Sequence, residues 1–257
     1  MQMDDARGVA AYYDRLAAVY GAGAVFGARR AAVLTAITPE LAGAHRILDL
    51  GCGNGTYTAE FVARAPTASV VGVDLAPDML HEALRRLGER VALVRADATR
   101  LPFRTSGFSL VFMSHVLQLV DEIERCVAEV AACLAPGGLW VSTIGVGGWR
   151  ETVAQVLGLE ALQELATLVG AARSRAPTDN RARVAAACAG AGLEVAWRDA
   201  PFTVTWPAVE EWLRIRWMTI VDETARLRTE RWLDEMRPRN ARLTFQVAEA
   251  LLVARRI

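Results

Sequence analysis

Through the first forty-five residues apolar side chains recur three and four positions apart, with Val9, Tyr12, Tyr13, Leu16, Val19 and Tyr20 on one side, which predicts helices. At Arg46 the period changes. A short apolar run over 46–50 ends in glycines, an amphipathic stretch follows to Arg64, and a second apolar run covers 69–74. The alternation predicts a helix over 77–88, strands over 91–95 and 108–114, a helix over 121–134, and a strand over 138–144 after the helix-stopping Pro136-Gly137-Gly138. Strands alternating with helices imply a parallel sheet covered on both faces.

Beyond Gly145 the register loosens. Residues 149–172 carry helical spacing, 176–180 form a break, 181–189 are helical again and 193–198 are strand-like. A long helical pattern over 207–236 has Val209, Leu213, Ile220, Val221 and Leu227 on one side, and the chain closes with an apolar run over 250–257. These segments predict one domain: an N-terminal helical cap (1–45), a core (46–146), two helical lid insertions (147–176 and 207–240), and a remaining helix with C-terminal strands (181–206 and 241–257).

Composition narrows the chemistry. With 257 residues, 53% of them hydrophobic, the chain has material for a large core, and disorder is excluded. Twenty-nine basic residues against twenty-nine acidic ones leave no net charge, so a nucleic-acid partner is not expected. Every basic residue is arginine, which excludes lysine Schiff bases and P-loop chemistry. Cys52, Cys126, Cys133 and Cys188 form no Cys-x-x-Cys pair and have few histidines near them, so buried, reduced thiols and no metal site are expected. The acidic first residues and the lack of any apolar window of about 18 residues predict a cytoplasmic chain without a membrane partner.

The informative motif is Asp49-Leu50-Gly51-Cys52-Gly53-Asn54-Gly55, where the first strand turns into its helix. So tight a turn needs glycine to reach positive φ and to let a ligand approach the backbone amides. Its G-x-G-x-G spacing departs from the G-x-G-x-x-G of dinucleotide binders. Asp49 at the strand end would repel a pyrophosphate and attract an ammonium group. Asp74 ends the second strand, where a carboxylate can take both hydroxyls of a ribose, and Asp97 follows the third. Three acids at successive strand ends suit a cationic nucleoside better than a phosphorylated one.

The ordered series ILDLGCGNG, VVGVDLAPDML, RADATRLPF, FSLVFMSHVLQLV and LAPGGLWVS resembles the class I S-adenosylmethionine-dependent methyltransferases, in particular the small-molecule group similar to ubiquinone and menaquinone C-methyltransferases. The resemblance implies a Rossmann-like, seven-stranded, mostly parallel sheet with helices on both faces and a helical cap. It implies S-adenosylmethionine as methyl donor and S-adenosylhomocysteine as product. Asp49, Gly51, Cys52 and Gly53 would hold the methionine part, Asp74 the ribose, Leu75 and Met79 the adenine faces, and Asp97 with Ala98 the adenine edge. Ser114 and His115 would lie beside the methionine end, and Tyr13 and Tyr20 would close the pocket. The family's usual Phe-Asp at the fourth strand is Phe108-Ser109 here, a change expected to affect strand entry alone.

Further residues carry two readings each. His115 is the candidate proton acceptor, against a side chain that packs beside the cofactor or a carboxylate methylation that needs no base. Trp149, Trp212 and Trp217 either line an apolar acceptor pocket or are core. Arg216 either meets a substrate anion or pairs with Glu223. No Asn-Pro-Pro-Tyr type segment follows the fourth strand. Together with zero net charge this predicts transfer to an oxygen or carbon of a small, largely apolar metabolite, in the manner of natural product biosynthesis. The rival is a cyclisation or rearrangement on the same cofactor pocket.

Overall fold

In the computed structural model, which describes residues 6–103, 107–144, 158–161, 163–164, 181–218 and 223–257, seven strands form one sheet in the order β3-β2-β1-β4-β5-β7-β6. Helices α1 (Ala6–Leu16), α2 (Ala24–Ala36) and α3 (Thr38–Ala42) precede it. The first five strands, β1 (Arg46–Leu50), β2 (Ser69–Asp74), β3 (Ala92–Arg95), β4 (Phe108–Ser114) and β5 (Leu134–Ile144), run parallel. They are linked by α4 (Thr56–Arg64), α5 (Pro77–Leu87) and α6 (Ile123–Cys133). The Arg181–Gly190 helix leads into β6 (Leu193–Thr205), and β7 (Thr244–Arg256) pairs antiparallel with both β5 and β6.

Alternation along the strands sends side chains to two cores. Leu48, Leu50, Val111 and Met113 pack on one face with α6 and the Arg181–Gly190 helix, whereas Ile47, Leu110 and Phe112 pack on the other with α2, α4 and α5. Each such fully buried side chain contributes roughly 1.5–3 kcal/mol. Ser109 Oγ accepts the His45 and Arg46 amides at 3.0 and 3.1 Å and donates to the Arg46 carbonyl at 3.1 Å. The serine thus serves the entry of β1. All four cysteines are free and buried.

The last third departs from the expected elements. The strand expected over 193–198 runs on to Thr205, and β7 starts at Thr244 rather than Ala250. The two form a hairpin in continuous register from Leu193↔Arg256 to Thr205↔Thr244. Pro201 is tolerated because β6 is an edge strand, whose outward amide needs no partner. The helical run expected over 207–236 is two helices, Trp206–Met218 and Glu223–Asn240, inserted as the arch of that hairpin. Trp206, Leu213, Trp232 and Leu233 form a small core of their own between these cap helices. Buried Glu210 ties them through Arg214 at 3.1 Å and Arg237 at 2.7 Å. Most of the lid expected over 147–176 lies outside the described residues.

Candidate active site

At the C-terminal ends of β1 and β2 the chain is drawn tight: the amides of Gly51 and Cys52 both donate to the Val73 carbonyl, at 2.7 and 2.9 Å. Gly51 has φ 75°, and a Cβ there would lie 2.1 Å from Val116 Cγ2, so both conformation and space demand glycine. Gly55, left-handed at φ 76°, starts α4. Beyond this turn opens a cavity of about 310 Å³, bounded by the ends of β1 to β4 and closed on the far side by α1 and Tyr20.

Most of the expected cofactor residues meet here. Gly51, Gly53, Asp74, Leu75, Met79, Asp97, Ala98, Ser114, Tyr13 and Tyr20 all line the cavity. Asp74 accepts the Gly53 amide at 2.8 Å on one oxygen and the Ala76 amide at 2.9 Å on the other, and the Leu75 amide acts on it too, which fixes the carboxylate. Burial raises the Asp74 carboxyl above its ordinary value, against those backbone amides. Asp97 Oδ1 accepts both the amide and the hydroxyl of Thr99 at 2.8 Å. Tyr13 and Tyr20 meet edge to face, 5.5 Å between centroids.

Two expected contacts stand differently. Asp49 is buried behind the glycine turn and does not line the cavity; its Oδ2 accepts the Thr58 hydroxyl at 2.6 Å. Burial first, then the charge of Asp74, pushes its carboxyl up to about 7, against the Thr58 hydrogen bond. Cys52 turns away to pack on Gly72, and burial raises its thiol far above the ordinary range, so it is no nucleophile.

His115 lines the cavity at the end of β4, its Nε2 2.8 Å from Arg29 Nη1 and 3.3 Å from Glu249 Oε1. The acceptor residues expected on the lid do not gather around it. Trp212 packs against the core of the cap helices and is not among the cavity's lining, because its helix stacks on α2 beside the hairpin. Arg216 and Trp217 lie on that same helix, with side chains outside the described residues, and Trp149 lies wholly outside them.

Sequence reasoning missed Thr99, Val120, Asp121 and Glu122 in the lining, and Arg29, Gln118 and Glu249 around His115. A signal for Glu249 exists: it is a lone carboxylate inside the apolar run Val247-Ala248-Glu249-Ala250-Leu251.

Residues 47–138 match the protein family described as "Methyltransferase domain". A demethylmenaquinone methyltransferase of Thermus thermophilus is 37% identical over 133 residues, 51% of this chain and 59% of that one. A trans-aconitate 2-methyltransferase of Methylobacterium nodulans is 43% identical over 110 residues, 43% of this chain and 42% of that one. Residues 47–138 are a methyltransferase domain. The chain spans about half the length of these relatives. Among solved structures, a [4+2]-cyclase shares the fold with a TM-score of 0.55 and 20% identity, covering 86% of this chain and 80% of that one. A "putative methyltransferase" of Bacillus halodurans shares it with a TM-score of 0.55 and 18% identity, covering 86% of this chain and 98% of that one, so the fold is that of a Rossmann-like methyltransferase.

Proposed function

We propose that the protein transfers a methyl group from S-adenosylmethionine to an oxygen or carbon of a small, largely apolar metabolite. One observation carries this reading. Among the described residues the cavity lining includes four carboxylates, Asp74, Asp97, Asp121 and Glu122, and no arginine, in a chain with 29 basic residues. Such a lining selects a cation and rejects a phosphate. The charge of Asp74 raises the Asp49 carboxyl and that of Asp14 raises Asp74, with no cationic side chain set against either, so a ligand ammonium or sulfonium relieves both.

S-adenosylmethionine supplies an electrophilic methyl group on a sulfonium. The protein's work is to place and to exclude water. Asp74 would take the ribose hydroxyls, Asp97 the adenine edge, Leu75 and Met79 the adenine faces, and Gly51 and Gly53 the methionine backbone. Tyr13 and Tyr20 would close the cavity from the N-terminal side, and Ser114 and His115 would border the methyl position. The small-molecule names of the curated relatives and the neutral charge favour a metabolite over a nucleic acid.

Incubation with S-adenosylmethionine labelled in its methyl group, followed by mass spectrometry of a metabolite extract, tests this. Transfer of the label to a product is expected. Conversion of an extract component with no gain of label would assign the cavity to a cyclisation or rearrangement instead.

A further inference from the structure

Where β4 and β5 end, side chains from several elements close on one imidazole. Among the described residues His115 is the only non-glycine with positive φ, at 57°, a backbone state that side chains adopt only when their surroundings impose it. Its amide donates to Thr143 Oγ1 at 2.9 Å, which fixes that turn. Nε2 lies between Arg29 of α2 at 2.8 Å and Glu249 of β7 at 3.3 Å, while Nδ1 lies 3.2 Å from the Gln118 amide. Arg29 and Glu249 are themselves 3.8 Å apart. The other titratable groups in reach are Tyr57 of α4, which hydrogen-bonds Ser114 and feels both Arg29 and Glu249, and Arg30 behind it.

An arginine nitrogen only donates, so the 2.8 Å contact makes Nε2 an acceptor and leaves the ring proton on Nδ1. A half-turn of the Gln118 amide presents its oxygen to that proton. Glu249 is then aimed at a nitrogen that carries no proton. Burial alone would raise the Glu249 carboxyl; an imidazolium at His115 and the Arg29 guanidinium 3.8 Å away act against burial and hold it below the ordinary glutamate range. The pocket is prebuilt for one change: a proton arriving at Nε2 finds an acceptor waiting, and Arg29 has the same carboxylate to turn to.

We infer that Glu249 and Arg29 are positioning residues that make His115 the proton acceptor of the reaction, and that the methyl acceptor loses a hydroxyl or activated C–H proton as it reacts. The inference rests on the methyltransferase reading. As the acceptor oxygen or carbon bonds to the methyl carbon, the S–CH₃ bond breaks and its electron pair stays on sulfur. Arg29 first releases Nε2 and turns to the Glu249 carboxylate; the acceptor's proton then passes to the lone pair so freed, and Glu249 Oε1, 3.3 Å from Nε2, faces the imidazolium. The positive charge that leaves the sulfonium thus reappears on an imidazolium beside a carboxylate. Gln118 keeps its bond to Nδ1 throughout.

The test is an NMR titration of the ring protons of His115 in protein saturated with S-adenosylhomocysteine, the signal being assigned among the three histidines by its loss in His115→Asn. Glu249→Gln removes the group that favours the imidazolium and is expected to lower the titration midpoint. Arg29→Gln removes the group that competes for Nε2 and is expected to raise it, each by roughly half a unit or more. Glu249→Asp keeps the charge and should restore most of the wild-type midpoint. Affinity for S-adenosylhomocysteine should stay within about threefold of wild type in all three, as for any group outside the cofactor contacts. Once the label screen returns an acceptor, the acid limb of its rate–pH profile should move with the midpoint. Midpoints that stay put, or that move in the same direction in Glu249→Gln and Arg29→Gln, overturn the inference, as does an unmoved acid limb. Failure of the wild-type protein to bind S-adenosylhomocysteine would instead strike the methyltransferase reading, and the titration in unliganded protein would still decide the pairing at His115.

Discussion

The five parallel strands and the β6–β7 hairpin are built on opposite plans. Of the parallel strands, β1, β2 and β4 are five to seven residues long and mostly buried, and the C-terminal ends of β2, β3 and β4 deliver Asp74, Asp97 and Ser114 to one cavity. The hairpin strands are thirteen residues each, and β6 is largely exposed along an edge. Their arch of two helices has its own core, and none of its described residues lines the cavity. The parallel half makes a site by ending its strands together. The hairpin half reaches that site through Glu249, from behind His115.

The sharpest way to break this comparison is at the glycine turn. Gly51→Ala combines an unfavourable positive φ with a Cβ driven into Val116, and should remove about 3 kcal/mol of stability together with binding of S-adenosylhomocysteine. Thermal denaturation and calorimetry check both effects. Asp74→Ala should leave the fold intact and weaken S-adenosylhomocysteine at least tenfold, since hydrogen bonds to a charged group are worth about 1.5–3 kcal/mol each. Unchanged affinity in that variant would remove the ribose assignment.

Asp49 gives a smaller, pH-dependent effect. Its carboxyl binds a proton more tightly folded, at about 7, than unfolded, near 3.8, so its contribution to stability is fully present below 3.8 and is lost as pH rises through 7. A cationic ligand favours the ionised form. Affinity for S-adenosylmethionine should therefore rise several-fold from pH 6 to pH 8, with proton release visible as a buffer-dependent binding enthalpy near pH 6. Affinity that falls over this range would show that the ligand's charge does not reach Asp49.

On the hairpin side, Trp212→Ala should lower stability by about 2 kcal/mol through lost packing and leave S-adenosylhomocysteine affinity as it was. A change in affinity without a change in melting temperature would place Trp212 at the site after all.

The same contrast explains what could be read from the chain. The parallel half was legible because each strand is an uninterrupted apolar run that ends in a residue with chemistry, as in Val70-Val71-Gly72-Val73-Asp74. The hairpin was not, because β6 carries Glu194, Arg198, Asp199 and Pro201 on an edge where polarity and a missing amide are tolerated, and periodicity alone sees no strand there. Tryptophans at helical spacing suggested a roof over the site, yet Trp206 and Trp232 fill a core that the arch shares with Val204 of β6 and Val247 of β7. Asp49 was read by its place in the motif. Its side chain's direction was set by Thr58, nine residues on, which no local pattern reports. The partners of His115 come from α2 and β7, 86 and 134 residues away in the chain, and only the fold brings them together.

A cavity lined by carboxylates without an arginine is built for a nucleoside that carries an ammonium group and no phosphate. Side-by-side calorimetric titration of the purified protein with S-adenosylhomocysteine and with NADH tests it most directly. Saturable binding of S-adenosylhomocysteine is expected, with no detectable binding of NADH, whose pyrophosphate would meet a lining of carboxylates without an arginine. Binding of NADH, or no binding of S-adenosylhomocysteine by protein that melts cooperatively, would contradict the account.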